Sequence, residues 1–82
     1  MSTKLHVGNI ASTVSEDDLK ATFGKFGAVE SVEIARDSAT GTHKGYATVS
    51  MSLDQDAVSA IQSMNFTTYS GRTIGVSRSR LS

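Results

Sequence analysis

The residues with the clearest chemical potential lie in one alternating segment, Lys44-Gly45-Tyr46-Ala47-Thr48-Val49-Ser50-Met51. Successive residues of a β-strand point to opposite faces of its sheet, so Tyr46 and Thr48 share a face with Lys44, opposite Ala47. The apolar members favour burial, which leaves the Tyr46 ring in water near a cation. A ring held in this way is suited to stacking on a planar group, and the cation is suited to binding an anion.

A second segment, Leu5-His6-Val7-Gly8-Asn9-Ile10, begins with the same alternation and places His6 on the polar face of its strand. An imidazole ring can also stack, but a plain exposed strand histidine has the same pattern, and both interpretations stay open. Tyr46 has a corresponding alternative as a half-buried strand tyrosine. The sequence does not indicate a metal site, because His43 is the only other histidine and no acidic cluster accompanies the pair.

The spacing of the apolar residues predicts six elements in the order βαββαβ. The predicted strands cover residues 4–9, 29–36, 44–51 and 73–78. The predicted helices cover residues 16–25 and the segment from the capping residues 52–56 to about residue 64. Ser15 and the acidic residues after it are typical of a helix start. Apolar residues at helical spacing from Ala57 to Met64 predict the second helix, and residues 65–71 form a predicted loop.

Each predicted helix has one apolar stripe, so both helices pack on the same face of the sheet and leave the other face open to water. Strand parity assigns to the open face His6, Glu33, Lys44, Tyr46, Thr48, Ser50, Gly75 and Ser77. It assigns to the buried face Leu5, Val7, Val32, Ile34, Ala47, Val49, Met51, Ile74 and Val76. Phe66, in the loop after the second helix, is expected to pack against the helix end.

Residues 44–51 resemble the octamer signature of the RNA-recognition-motif family, K/R-G-F/Y-G/A-F-V-x-F/Y, at positions one to four and six. Residues 5–10 resemble the hexamer motif that this family has on its first strand. The element order, the turn region Gly24–Gly27 and the pair Gly71-Arg72 are also similar. Two motifs in the right order are more specific than either alone, so residues 1–82 are interpreted as a single RNA-recognition-motif domain.

The resemblance implies a ferredoxin-like α+β fold, with a four-stranded antiparallel sheet and two helices on one face. It implies that the two motif strands lie side by side at the sheet centre, where rings stack on the unpaired bases of single-stranded RNA. Tyr46 takes one such stacking position and His6 another. Thr48 stands where the family has Phe. Because base–aromatic stacking contributes roughly 1–3 kcal/mol per base, this departure predicts modest affinity.

The resemblance also implies the phosphate contacts. Lys44 begins the octamer and is available to a phosphate, and Arg36 and Arg72 lie at strand ends beside it. Arg78 and Arg80 follow the last predicted strand, where family members often extend the RNA contact, although Arg80 has the character of an ordinary solvated residue. The polar side chains predicted to hydrogen-bond base edges are Asn9, Thr48 and Ser77.

The net charge of zero, with eight basic and eight acidic residues, is unusual for a nucleic-acid binder, because neutralising phosphates dominates such affinities. Most acidic residues are predicted at helix N-termini, away from the open face, whereas most basic ones fall on strands or their ends. This arrangement predicts a modest dipole with its basic side on the open face. Glu33 weakens that dipole, so we expect a shallow salt dependence.

Other function classes have little support in the sequence. The absence of cysteine excludes disulfides, thiolate metal sites and thiol catalysis, and no motif indicates a cofactor or an enzyme. No apolar run approaches the roughly 20 residues that a membrane helix needs. The chain is therefore expected to be an intracellular monomer, and nothing distinguishes nucleus from cytoplasm.

Two alternatives stay open beside RNA binding, and single-stranded DNA is a further possible partner of the same surface. Thr48, Glu33 and the neutral charge fit a protein-interaction domain that uses its helical face and has a degraded RNA surface. A small acyl phosphatase shares the fold but needs a phosphate-cradling loop with Arg and Asn, and residues 10–15 contain neither.

Overall fold

The computed structural model of the chain describes residues 3–79, which form two helices, a four-stranded antiparallel sheet and a small hairpin. The strands are β1 (Thr3–Gly8), β2 (Val29–Arg36), β3 (His43–Met51), β4 (Thr68–Tyr69), β5 (Arg72–Thr73) and β6 (Gly75–Arg78). The helices are α1 (Glu16–Phe23) and α2 (Asp54–Met64). The main sheet has the order β2-β3-β1-β6, so the two motif strands are neighbours at its centre. The predicted ferredoxin-like fold is confirmed.

The core lies between the sheet and the two helices. Every residue assigned by parity to the buried face is buried except Val32, which is partly buried against the same cluster. The helices contribute Leu19 and Phe23 from α1, and Ala57 and Ala60 from α2. Fully burying a large apolar side chain stabilises the fold by roughly 1.5–3 kcal/mol, so this layer holds both helices on one face.

The two helices begin in different ways. Ser15 caps α1 reciprocally: its Oγ accepts the N–H of Asp18 at 3.2 Å, and the Asp18 carboxylate accepts the N–H of Ser15 at 3.0 Å. The N-cap of α2 is Leu53, which has no side-chain cap, so the expectation that residues 52–56 cap this helix is wrong. Asp54 instead accepts hydrogen bonds from Thr3 and Arg78, which tie α2 to β1 and β6.

The segment after α2 differs from the predicted loop and single strand. Residues 68–73 form a two-stranded hairpin, and only Gly75–Arg78 pairs with β1. The two residues at the turn of the hairpin, Ser70 and Gly71, both have positive φ angles, 51° and 84°, as a tight type I′ turn requires. The hairpin is anchored by a 2.9 Å hydrogen bond between the hydroxyls of Thr22 and Tyr69. It carries Arg72 to the edge of the main sheet.

Phe66 does not pack against the helix end, and that prediction is wrong. Its side chain is 80% exposed, because the backbone at this residue has a left-handed φ of 63° and its N–H donates to the Ile74 carbonyl at 2.8 Å. This conformation attaches the loop to the chain just before β6 and leaves the ring outside. Within residues 3–79, no helix is long and apolar enough to cross a membrane.

Candidate functional site

A cleft of about 550 Å³ opens on the exposed face of the sheet, where β1 ends and β3 begins. Of the predicted site residues it brings together His6, Asn9, Lys44, Tyr46 and Arg72. We call it the aromatic cleft. The antiparallel register of β1 and β3 accounts for its position, because Gly8 lies opposite Tyr46 and His6 lies opposite Thr48.

Two rings form the floor of the aromatic cleft. The ring centroids of His6 and Tyr46 are 5.6 Å apart, with a tilt of 34° between the planes, and the Tyr46 side chain is 41% exposed. Gly8 borders the His6 ring, since a Cβ at this position would lie 3.5 Å from the His6 Nε2 atom, an ordinary van der Waals distance. The result is a continuous aromatic surface open to solvent, as strand parity predicts.

The start of β3 is shaped by Gly45, whose φ of 86° favours glycine. Its carbonyl accepts the N–H of Ile10 at 2.9 Å, and its N–H donates to Nδ1 of His43 at 2.8 Å. Nδ1 of His43 therefore serves as an acceptor for the backbone at the start of β3. His43 also lines the cleft beside Lys44, and no motif position identified it as a site residue.

Arg72 is held at the rim by Asn9. The Arg72 guanidinium donates to Oδ1 of Asn9 at 2.6 Å, and the Asn9 amide nitrogen donates to the Thr73 carbonyl at 2.7 Å. Both ends of the Asn9 amide are therefore engaged within the protein. Neither Arg72 nor Lys44, the other cation of the cleft, has a carboxylate partner among the residues described.

The other predicted arginines lie elsewhere. Arg36 forms an ion pair with Glu16 at 3.3 Å, at the start of α1. Arg78 does not follow the last strand; it is the final residue of β6, opposite the buried Leu5. Its guanidinium contacts Asp54 at 2.8 Å, on the helical side of the sheet. Neither arginine lines the aromatic cleft, and Arg80 lies outside the described residues.

The Arg78 contact also affects the acidity of its partner. The hydrogen bond from Arg78, followed by that from the Thr3 hydroxyl, lowers the pKa of Asp54 below its ordinary value. In the β2–β3 loop, the backbone N–H groups of Ala39 and Thr40 similarly lower the pKa of Asp37, which accepts both hydrogen bonds. These carboxylates stabilise an interelement contact and a turn, outside the aromatic cleft.

The remaining predicted residues fall into two neighbouring depressions. Thr48 lines a smaller cleft of about 240 Å³ with Lys4, Ser31, Glu33 and Ser50, which we call the polar cleft. Ser50 lies on this face as predicted but is only 6% exposed, because its neighbours cover it. Ser77 lines a third depression, beside Phe66.

Residues 3–79, which the structure describes, contain no candidate metal centre. No group of three or more His, Cys, Asp or Glu side chains could hold a metal ion there. The loop between β1 and α1, where a phosphatase would need its cradle, directs Ile10 and Val14 into the core.

Several known proteins have amino-acid sequences similar to that of this chain. The human poly(U)-binding-splicing factor PUF60 is 33% identical over 75 residues, which are 92% of this chain and 13% of the human protein. An RNA-binding protein of Schizosaccharomyces pombe is 37% identical over 78 residues, 95% of this chain and 26% of its own length. RbpA of Synechocystis sp. is 32% identical over 76 residues, which are 93% and 75% of the two chains. The chain thus spans a small part of some relatives and most of another.

Solved structures show the same fold. The crystal structure of RNA binding protein PG1 superimposes with a TM-score of 0.93 at 31% identity, covering 95% of this chain and 94% of that one. The RNA recognition domains of Drosophila melanogaster Sex-lethal give a TM-score of 0.89, also at 31% identity, covering 95% and 50%. Residues 5–75 match the sequence pattern described as the RNA recognition motif. Because this match covers most of the chain, the protein belongs to the RNA recognition motif family.

Proposed function

We propose that this domain binds single-stranded RNA through the aromatic cleft. The observation that carries the proposal is the pairing of an exposed two-ring surface, His6 and Tyr46, with two cations, Lys44 and Arg72, that have no carboxylate partner among the described residues. Unpaired bases stack on such rings while cations neutralise the phosphates between them. The names of several relatives, which describe RNA-binding proteins, support the same proposal.

Each cleft residue has a distinct role in the proposal. Tyr46 stacks one base and His6 a second, because their rings are exposed and adjacent. Lys44 and Arg72 bind phosphates, and Asn9 positions Arg72 through the 2.6 Å hydrogen bond to its guanidinium. Thr48 and Ser77 lie on either side of His6, each directly opposite it in the register of the strands, and their hydroxyls bind base edges.

We expect a modest affinity for a single domain acting as a monomer. Among the described residues, only two exposed rings, His6 and Tyr46, lie on the central strands β1 and β3. Glu33 lies directly opposite Thr48 on the neighbouring strand, where its charge repels phosphate. Arg36 and Arg78 already have carboxylate partners, so their contribution to RNA binding is small. A few phosphate contacts give a shallow dependence of affinity on salt.

A titration with short single-stranded RNA tests the proposal, using fluorescence anisotropy for affinity and NMR for the location of contacts. The expected result is saturable binding with amide shifts centred on residues 6, 44, 46 and 48. Duplex RNA of the same sequence is the control and should bind more weakly, because its bases are already stacked and paired. Single-stranded DNA measures how much the 2′-hydroxyl matters. Absence of shifts at those residues at millimolar RNA would refute the proposal.

A protein-interaction role through the helical face is the second candidate, favoured by Glu33 and Thr48 at the sheet centre. Under this candidate the open face is dispensable. Tyr46→Ala would then leave the biological function intact, whereas charge-reversing substitutions on exposed positions of α1 or α2 would abolish it. Loss of function with Tyr46→Ala would eliminate this candidate.

A further inference from the structure

Phe66 is the most exposed large apolar side chain among the described residues, at 80%. It lines a depression of about 470 Å³ on the exposed face, together with Val76 and Ser77 of β6. His6 and Asn9 line both this depression and the aromatic cleft, so the two are continuous across β1. Phe66 therefore extends the exposed face beyond the strands that carry the two family motifs.

The backbone conformation of Phe66 is unusual for a residue with a large side chain. Its φ of 63° is a left-handed conformation, which glycine adopts without strain and bulky residues adopt rarely. Hydrogen bonds on both sides hold it there: the Phe66 N–H donates to Ile74 at 2.8 Å, and the Val76 N–H donates to the Asn65 side chain at 2.9 Å. A strained residue whose side chain contributes nothing to the core indicates a use for the side chain itself.

We infer that Phe66 is an additional base-stacking site, which takes an unpaired base of the same RNA strand at the β6 side of the sheet. This inference rests on the proposed function. The octamer of this chain has Thr48 where the family has a ring, on the β3 side of His6. Phe66 supplies a ring on the opposite side of His6.

The chemistry of the depression favours a neutral base over a phosphate or a charged peptide. None of the residues that line it is charged. The exposed hydroxyl of Ser77 provides one group that can donate to or accept from a base edge. Both ends of the Asn9 amide and the Oδ1 atom of Asn65 are engaged with the protein, so these groups stabilise the depression.

The test compares Phe66→Gly with Phe66→Tyr in RNA titrations. Phe66→Gly removes the ring and suits the positive φ, so its melting temperature should equal or exceed that of the wild type. Its affinity for RNA should nevertheless fall by about ten-fold, within the range of one lost stacking contact. Phe66→Tyr keeps a ring and should bind like the wild type. Intermolecular NOEs between the Phe66 ring and base protons should be present in the wild-type complex.

The outcomes separate this inference from the proposed function. If Tyr46→Ala weakens RNA binding while Phe66→Gly does not, the inference fails and the proposed function stands. If neither substitution changes binding and no shifts appear at the aromatic cleft, both fail. RNA-bound spectra without shifts or NOEs at Phe66 also overturn the inference, and would leave its ring as a candidate contact for a protein.

Discussion

The aromatic cleft and the polar cleft lie on the same sheet face and share the strands β1 and β3, yet they differ in chemistry. At one end, His6 and Tyr46 form a ring pair beside Lys44 and Arg72, cations without carboxylate partners in the described chain. At the other end, Thr48 lies among serine hydroxyls, the ammonium group of Lys4 and the carboxylate of Glu33. The face is therefore polarised along its length, because the two rings lie at one end and the other end combines hydroxyls with charges of both signs.

The comparison shows that net charge is a poor guide to binding for this chain. Its sixteen charged residues sum to zero, but they are sorted by position. Arg36 and Arg78 pair with acidic residues in the first turns of the helices, where carboxylates also favour the helix dipole. Lys44 and Arg72 keep their full positive field at the aromatic cleft.

Removing the Tyr46 ring should have the largest effect on RNA binding. Tyr46→Ala deletes the exposed ring at the centre of the aromatic cleft and should weaken binding by roughly ten- to a hundred-fold, as expected for one stacked base. The corresponding change in the polar cleft, Thr48→Ala, should weaken it by less than about three-fold, since a single solvent-exposed hydrogen bond is lost. Anisotropy titrations of the two variants measure the difference.

Tyr46→Phe is the matched control, because it keeps the ring and loses only the hydroxyl. It should bind within about two-fold of the wild type if stacking dominates. Equal losses for Tyr46→Ala and Thr48→Ala would show that the two clefts contribute alike, which contradicts the polarised face.

Adding a ring to the polar cleft should produce the second largest effect, in the opposite direction. Thr48→Phe places a ring directly opposite His6, in the octamer position that the family fills with Phe. We expect affinity to rise by about five- to ten-fold, at the lower end of the stacking range because Glu33 stays opposite it. The same titrations detect the gain, and an unchanged affinity would mean that bases do not reach this end of the face.

Whether a feature of the fold or of the candidate site could be predicted from the sequence depends on the kind of interaction that produces it. The periodicity of residues such as Val7 and Val49 predicts the sheet faces, and the octamer predicts Tyr46 at the surface, because both follow from strand geometry alone. The partners of Arg36 and Arg78 were not predictable, since each pairs with a carboxylate on a distant helix. Such pairs depend on tertiary packing.

The hairpin and the loop before it show the same limit. The pair Ser70-Gly71 is a turn signal, but strands of two residues are too short to give a periodic pattern. The position of Arg72 over the cleft depends on this hairpin and on Asn9. Phe66 was misplaced because an apolar residue near a helix end usually packs inward, and its positive φ leaves no trace in the sequence.

Removing either cation of the aromatic cleft should weaken RNA binding less than removing the Tyr46 ring. The effect should be visible in how the affinity depends on salt concentration. Lys44→Ala and Arg72→Ala should each weaken binding by a few-fold at low salt and reduce the slope of log K against log salt by about 0.7. Arg78→Ala removes an equal charge from the helical side and should leave that slope nearly unchanged, because Arg78 pairs with Asp54. Equal slopes for all three variants would show that charge acts through the whole molecule and not through the cleft.

Glu33→Gln should have a smaller effect on affinity. It removes the carboxylate of the polar cleft while preserving size and hydrogen-bonding capacity, and an exposed charge at this range contributes only modestly in water. We expect RNA binding to tighten by about two-fold at low salt, with the difference disappearing at high salt. Glu30→Gln, an exposed residue of β2 outside the lining of the polar cleft, is the matched control and should change affinity less.

The smallest effect on RNA binding should come from Asp54, which tests the assignment of Arg78 to the helical side. Arg78 and Thr3 lower the pKa of folded Asp54 below 3.8, so the ionised carboxylate stabilises the fold above that value and loses this contribution as pH falls through the folded pKa. Asp54→Asn should therefore have a lower urea midpoint than the wild type at neutral pH, and the two midpoints should converge as the pH falls through the lowered pKa of folded Asp54. RNA affinity at neutral pH should be the same for both proteins, since Asp54 and Arg78 lie outside the aromatic cleft. A midpoint difference that persists unchanged into acid would show that the charge of Asp54 does not stabilise the contact between α2 and β6.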